Sequence, residues 1–213
     1  HKNIVLIKNS HNLGLNQTLN NCLELAKGEY VARMDGDDIS LQTRFEKEVQ
    51  FLDEHSEYAI VSTPMIYFDE NGEFGRGAVR EGEATLKDFV SGTPFCHAPC
   101  MVRKEAYEAV GGYTVDKRLI RHEDYNLWTK MYAAGFKGYN LAEHLYSMRD
   151  DRKAVKRRTF RGRVNGIYAR WIAYKMIHIP LSGFLKFAVV SLCKGLMPTF
   201  IYEYLHKRKI SKK

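Results

Sequence analysis

The chain has 213 residues and a mass of 24.7 kDa, with 45% hydrophobic and 27% charged residues and five prolines, which excludes wholesale disorder and a miniprotein without a core. Its net charge of +8 is unevenly spread: residues 1–148 hold 16 Lys and Arg against 22 Asp and Glu, whereas residues 149–213 hold 17 against 3. The basic character therefore belongs to the tail, which suits an anionic surface, and the acidic body is to be interpreted separately.

In chain order, IVLIK from Ile4 reads as a short strand and NSHNLG as a turn. Leu15, Leu19, Leu23 and Ala26 then repeat at helical spacing until Gly28. Tyr30 to Met34 is a compact strand running into Asp35-Gly36-Asp37-Asp38, with Gly36 available for a sharp turn. Phe45, Val49 and Leu52 mark the next helix. Tyr58 to Phe68 reads as one strand, turned at Asp69 to Gly72, and the glycine-rich segment from Gly72 to Gly82 as a surface loop. A short helix near Ala84 to Val90, a strand from Ala98 to Val102, and a helical turn from Glu105 to Val110 follow. Gly111-Gly112 then breaks the chain, and a helix carries Leu127, Trp128 and Met131 up to Gly135.

Alternating strands and helices predict an α/β fold with a mainly parallel sheet flanked by helices. From about Asp151 the pattern becomes long helices interrupted at Pro180 and Pro198, which places a boundary near Arg149 between residues 1–149 and a basic helical tail, 150–213. Within that tail Leu181, Leu185, Ala188, Leu192 and Leu196 share one face, flanked by Phe184 and Phe187. Lys186 and Lys194 interrupt the stretch, so it does not span a membrane. It fits equally a helix lying in the membrane interface and one packed on the body.

The four cysteines, Cys22, Cys96, Cys100 and Cys193, have neither redox nor zinc spacing and are expected as reduced thiols, in keeping with a cytosolic setting.

Two acidic clusters carry the chemical signal. In open α/β sheets ligands gather at the carboxyl ends of strands, where Asp35, Asp37 and Asp38 are expected. Carboxylates crowded on one loop repel unless a cation or hydrogen bonds neutralise them, and hard oxygen ligands suit Mg²⁺ or Mn²⁺. The competing reading is a solvated turn with Asp38 or Ser40 capping the next helix. A calcium loop starting at Asp35 fails, because Ser40 falls where glycine is needed. Glu123-Asp124 lies just ahead of a helix, either as capping residues or as a general base facing a cleft.

In order along the chain, NLGLNQTLN, AKGEYVARMDGDDIS, the R-F-E at Arg44, FCHAPCMVRK, the GGY at Gly111 and HEDYNLW resemble the family 2 glycosyltransferases of the GT-A fold. The resemblance covers about residues 3–149. It implies a Rossmann-like domain and inverting transfer of a sugar from a nucleotide-diphosphate donor, such as a UDP-sugar, to a saccharide or lipid-linked acceptor hydroxyl in surface polysaccharide or glycolipid synthesis. On that resemblance Asp37 ligates Mn²⁺ or Mg²⁺, and Asp35 contacts the ribose or the ion's shell. Asp124 is the catalytic base, with Glu123 beside it on sugar or acceptor. His97 approaches the acceptor cleft and Arg149 pairs with the diphosphate. The resemblance also implies a preceding strand-helix-strand unit of ~50 to 60 residues that completes the nucleoside pocket, without which this chain is expected to be inactive. Together with the basic tail it predicts a cytoplasmic enzyme, peripheral at the inner face of the cell membrane, with no specific nucleic-acid partner. Two further readings stand beside it: a nonenzymatic module binding anionic surfaces or nucleic acid through KAVKRRTFRGR, and a metal-dependent nucleotidyltransferase.

Overall fold

The computed structural model describes residues 3–150 and 159–196. Helix α1 (Leu15–Leu25) leads to β1 (Tyr30–Ala32), β2 (Ile39–Ser40) and α2 (Arg44–Glu54). Strands β3 (Ile60–Ser62), β4 (Met65–Asp69), β5 (Gly72–Arg76) and β6 (Gly82–Glu83) come next, then α3 (Leu86–Ser91), β7 (Met101–Arg103) and α4 (Lys104–Ala109). A 3₁₀ turn at Lys117–Leu119 precedes α5 (Glu123–Ala133), β8 (Gly138–Asn140), β9 (Tyr146–Arg149), α6 (Phe160–Ile177) and α7 (Leu181–Leu196). The basic run from Lys153 to Arg158, Arg152 and the interruption at Pro198 lie outside the described residues.

The strands form two sheets, ordered β1-β7-β3-β8-β6 and β2-β9-β4-β5. The α/β class with flanking helices holds, but the strand directions are mixed. Five of the seven pairings are antiparallel, and only β3–β8 and β4–β9 are parallel. β7 enters between β1 and β3 running against both, β6 runs against β8 at the sheet edge, and β5 returns beside β4 through a hairpin, which antiparallel pairing permits.

Three segments differ from their sequence patterns. The run from Tyr58 to Phe68 is two strands in different sheets, split at Thr63-Pro64, where proline supplies no N–H for a ladder. The Thr63 hydroxyl stitches the break, donating to Glu143 O at 2.6 Å and accepting from Leu145 N at 3.0 Å. The glycine-rich segment is strand at its start, where β5 pairs with β4 across a tight turn in which Asn71 N donates to Asp69 Oδ1. The apolar IVLIK run forms no strand, and Ile4, Val5 and Leu6 are exposed.

The main core lies between the first sheet and helices α3 to α6. Trp128 and Leu127 are fully buried there, and Trp128 meets Phe95 edge-on, so the apolar positions of α5 serve packing. Ala169, Ala173 and Ile177 of α6 belong to the same core. The helix α7 packs on the body, against α6 and α3, and leaves an apolar stripe exposed. Phe184, Phe187 and Ser191 are covered, whereas Leu181, Leu185, Val189, Leu192 and Leu196 are 41 to 78% exposed. All four cysteines are free thiols.

Gly138 of β8 sits opposite Ile60, where an added Cβ would come within 2.8 Å of Ile60 Cβ and closer still to the Phe95 ring. Backbone and ring are both held by packing, so Gly138→Ala should destabilise by roughly 1–3 kcal/mol. A lowered urea midpoint at unchanged slope is the expected result; an unchanged midpoint would show that the β3–β8 layer is looser than described.

Candidate active site

The end of β1 sets the site. Strand alternation puts Val31 and Arg33 on the face toward the main core, and Tyr30 and Ala32 on the other. The chain then turns through Asp35 to Asp38, with Asp38 N donating to Asp35 O at 3.3 Å; Gly36 does not adopt a positive φ.

The three carboxylates of this loop have different surroundings. Asp38 is buried and accepts from the Tyr146 hydroxyl at 2.7 Å and from Arg149 N at 2.8 Å. Burial raises its pKa, against the pull of those two hydrogen bonds. It therefore clamps the loop to β9 and caps no helix. Asp35 takes a 2.6 Å charge-assisted hydrogen bond from Arg33 Nη2, and its backbone N donates to the Tyr146 hydroxyl at 3.1 Å. Asp37 is exposed, and its carboxylate has no hydrogen bond or ion pair among the described residues. Its carbonyl accepts from Arg149 Nε at 3.3 Å, which holds the Arg149 side chain beside the loop and over the Phe68 ring.

Beneath the loop Arg44 is fully buried. Its Nε faces both Glu48 oxygens at 3.1 and 3.2 Å, its Nη2 donates to Arg33 O and Cys100 O, and its guanidinium lies 5.0 Å from the Tyr146 ring centre. Desolvation pushes Glu48 up to about 8 despite Arg44.

The second cluster opens α5. Glu123 and Asp124 are its first two residues, inside the first turn, and the preceding His122 makes no side-chain cap. Glu123 and Asp124 are half-buried. Desolvation pushes Asp124 up to about 6; the neighbouring charge of Glu123 adds to this, whereas backbone N–H groups and the positive charge of Arg33 oppose it. Arg33 thus holds Asp35 directly, and its charge also acts on Asp124 through space.

His97 belongs to the same neighbourhood. Its Nε2 lies 2.8 Å from the Tyr113 hydroxyl and its ring meets Trp128 edge-on. Burial, aided by Arg33, lowers its pKa to about 3, so it is neutral at physiological pH. Tyr113 is set in turn by the glycine pair, with Gly111 and Gly112 at φ +66 and +64, and by Asn20, whose amide exchanges two hydrogen bonds with its backbone.

Sequence reasoning missed Arg33 and Tyr146. Arg33 had a signal, a charged residue on the inward face of a strand immediately before the acidic loop; Tyr146 had none. Among the described residues no group of three or more His, Cys, Asp or Glu could hold a metal ion by itself. A carboxylate pair that leaves coordination positions open to a diphosphate is the remaining way for this site to hold one.

Residues 1–111 match the model of glycosyl transferase family 2. The chain belongs to that family. The putative glycosyltransferase EpsE of Bacillus subtilis is 39% identical over 208 residues, 97% of this chain and 74% of EpsE. An Escherichia coli UDP-Gal:alpha-D-GlcNAc-diphosphoundecaprenol beta-1,3-galactosyltransferase is 30% identical, covering 93% of this chain and 72% of that one. The fold is that of GT-A glycosyltransferase structures. Staphylococcus aureus TarS 1–349 in complex with UDP-GlcNAc aligns with a TM-score of 0.56 at 17% identity, over 84% of this chain and 52% of TarS 1–349. The mannosyltransferase PcManGT from Pyrobaculum calidifontis, in complex with GDP-Man and Mn²⁺, aligns with a TM-score of 0.57 at 16% identity, over 96% of this chain and 62% of that one. The chain spans about half of the TarS fragment and about three quarters of EpsE. Membership in a transferase family sets aside the nonenzymatic binding module. The family match contains the acidic loop and ends before α5, so Glu123 and Asp124 rest on geometry and on the longer alignments.

The fold disfavours the ionised form of Asp124. With its pKa raised from 3.8 to about 6, the stability gained from the protonated form is complete below pH 3.8 and lost as pH rises through 6. Asp124→Asn should therefore gain on the wild type by about 1–3 kcal/mol between pH 4 and pH 8 in denaturant titrations. A gap between the two proteins that does not change with pH would mean that the carboxylate is solvated.

Proposed function

We propose that the chain carries the catalytic unit, residues 1–149, of an inverting, metal-dependent glycosyltransferase that moves a sugar from a nucleotide-diphosphate donor to an acceptor hydroxyl in surface polysaccharide or glycolipid synthesis. The observation that carries this reading is the acidic loop at the end of β1, where Asp38 is taken up by Tyr146 and Arg149 and Asp35 by Arg33 while the Asp37 carboxylate stays exposed, in a chain of this transferase family. The names of the relatives agree with it: one acts from UDP-Gal on a diphosphoundecaprenol-linked sugar, and two structural neighbours hold nucleotide sugars.

Each residue has a distinct task. Asp37, exposed and unpaired among the described residues, and Asp35 beside it form a hard-oxygen donor set that fits Mg²⁺ or Mn²⁺. That ion, when bound, stabilises the negative charge developing on the departing diphosphate. Arg149, held at the loop by Asp37 O, adds a fixed positive charge on the same side. Asp35 would also hydrogen-bond the donor's ribose. Asp124 accepts the proton of the attacking hydroxyl, and a pKa of about 6 leaves it mostly ionised at neutral pH yet more basic than an ordinary carboxylate. Glu123 flanks it as a hydrogen-bond partner for sugar or acceptor, and neutral His97 positions the acceptor without competing for its proton. Direct displacement requires no covalent enzyme intermediate, so inversion at the anomeric carbon follows.

Among the described residues no helix is long and apolar enough to cross a membrane. The basic segment from residue 150 onward supports attachment at the inner face of the cell membrane, from the cytoplasmic side.

With the full-length protein, a nucleotide-sugar panel and Mn²⁺ or Mg²⁺, transfer should rise with pH through about 6 and fall at least 100-fold in Asp124→Asn and in Asp37→Ala. Unchanged turnover in either variant would remove that residue from the mechanism. Nucleotide rather than sugar appearing on the acceptor would make the enzyme a nucleotidyltransferase.

A further inference from the structure

Beside the start of α5 lies a cleft of about 620 Å³ between α3, α6 and α7. Its wall includes His122, the residue immediately before Glu123-Asp124, whose ring nitrogen lies 3.1 Å from Gly162 O of α6 and ties the cleft to the crevice. Four cationic side chains line it, Arg121, Arg163, Lys186 and Lys194, together with Val90, Phe187 and Val190, and no carboxylate does. Lys186 and Lys194 are exposed and form no ion pair among the described residues. The described tail contains no Asp or Glu from Thr159 to Leu196. A lining whose charged side chains are all cationic, two of them lysines without an ion pair among the described residues, attracts an anion.

The apolar lining says what kind of anion. A soluble phosphate needs no Val90, Phe187 or Val190 beside it. An amphiphile does, and α7 offers the rest of such a ligand a surface. Leu181, Leu185, Val189, Leu192 and Leu196 form an exposed stripe along the helix, on a flank roughly 140° around it from Lys186 and Lys194. One exposed helix therefore presents apolar side chains to acyl chains and lysines to headgroups, as interfacial helices do. Packing of the opposite face anchors it: Arg170, buried, sits 3.5 Å from the Phe187 ring centre and 4.7 Å from that of Tyr125 in α5, and donates to Gly92 O.

We propose that the cleft between α3, α6 and α7 receives the phosphate or diphosphate headgroup of a membrane-inserted lipid, with the apolar stripe of α7 lying in the acyl boundary. This rests on the glycosyltransferase reading for its purpose, because a headgroup held beside His122 delivers a lipid-linked acceptor sugar to Asp124. The binding site itself stands on the cleft and the stripe.

The test is vesicle co-sedimentation of the full-length protein. Phosphatidylcholine vesicles carrying a polyprenyl phosphate are compared with phosphatidylglycerol vesicles of equal surface charge, with inorganic pyrophosphate as competitor. We expect preferential binding to the polyprenyl phosphate vesicles, competition by pyrophosphate, and at least about tenfold weaker binding in the Lys186→Glu/Lys194→Glu double variant. Leu185→Asp/Val189→Asp, on exposed positions, should lose vesicle binding while keeping pyrophosphate binding. Equal binding to both anionic vesicles, or a preference that survives the lysine changes, would overturn the assignment and leave general attraction by the basic tail. Pyrophosphate binding with no vesicle preference would also overturn it, in favour of a soluble phosphate ligand. Donor turnover is measured separately, so lipid binding without sugar transfer would sink the enzymatic reading and spare this one, and the reverse result would do the opposite.

Discussion

The guanidinium of Arg33 offsets negative charge from both acidic segments, by a direct bond to Asp35 and through its field at Asp124. Asp35, Asp37 and Asp38 come from one turn, Glu123 and Asp124 from the start of another element, and two unit charges 4 Å apart at an effective dielectric of 20 interact by about 4 kcal/mol. Arg33 offsets part of that repulsion, bonded to Asp35 at 2.6 Å and acting on Asp124 through its field, with its side chain only 12% exposed. The remaining repulsion is managed by division of labour. Asp38 is withdrawn into hydrogen bonds with Tyr146 and Arg149, burial raises the pKa of Asp124, and Asp37 faces solvent.

That arrangement is only as rigid as the layer beneath it. Arg44 reaches from α2 to the carbonyls of Arg33 and Cys100, so the end of β1, the loop before β7 and the second helix share one buried cation. Its partner Glu48 has no contact with solvent, and a buried pair of this kind contributes specificity of position more than net stability. Tyr146 completes the frame, because its ring lies on Arg44 while its hydroxyl bridges Asp35 N and Asp38. Two sheets that share no ladder are thereby fastened at the point where the acidic loop emerges.

The parts legible in the sequence were those that depend on near neighbours. Helical spacing from Leu15, and Phe45 to Leu52, located α1 and α2, and the order strand, acidic loop, helix placed Asp35 to Asp38 where the structure has them. What depended on distant partners was not legible. Pro64 splits an apolar run into two strands because the following segment pairs with β9 and β5 rather than with β7 and β8, and nothing within the run announces that choice. Nor could spacing reveal that Asp38 would be consumed by a tyrosine 108 residues away, or that Arg33 would turn back onto Asp35. The IVLIK run illustrates the converse, strand-like composition whose backbone finds no ladder among the described residues.

The charge boundary at residue 149 is likewise real in sequence but not a seam in the packing. Ala169, Ala173 and Ile177 of α6 fill the core that also holds Trp128 of α5, and Arg170 sits against Tyr125 within reach of the field of Asp124. The helices of the basic tail are therefore mechanically continuous with the helix whose first turn carries Glu123 and Asp124. Any tilt of α6 would be felt at His122 through its hydrogen bond to Gly162 O, one residue before Glu123. A basic appendage joined by a solvated linker would leave α5 unaffected; one packed into the core transmits its position to the helix that carries Asp124.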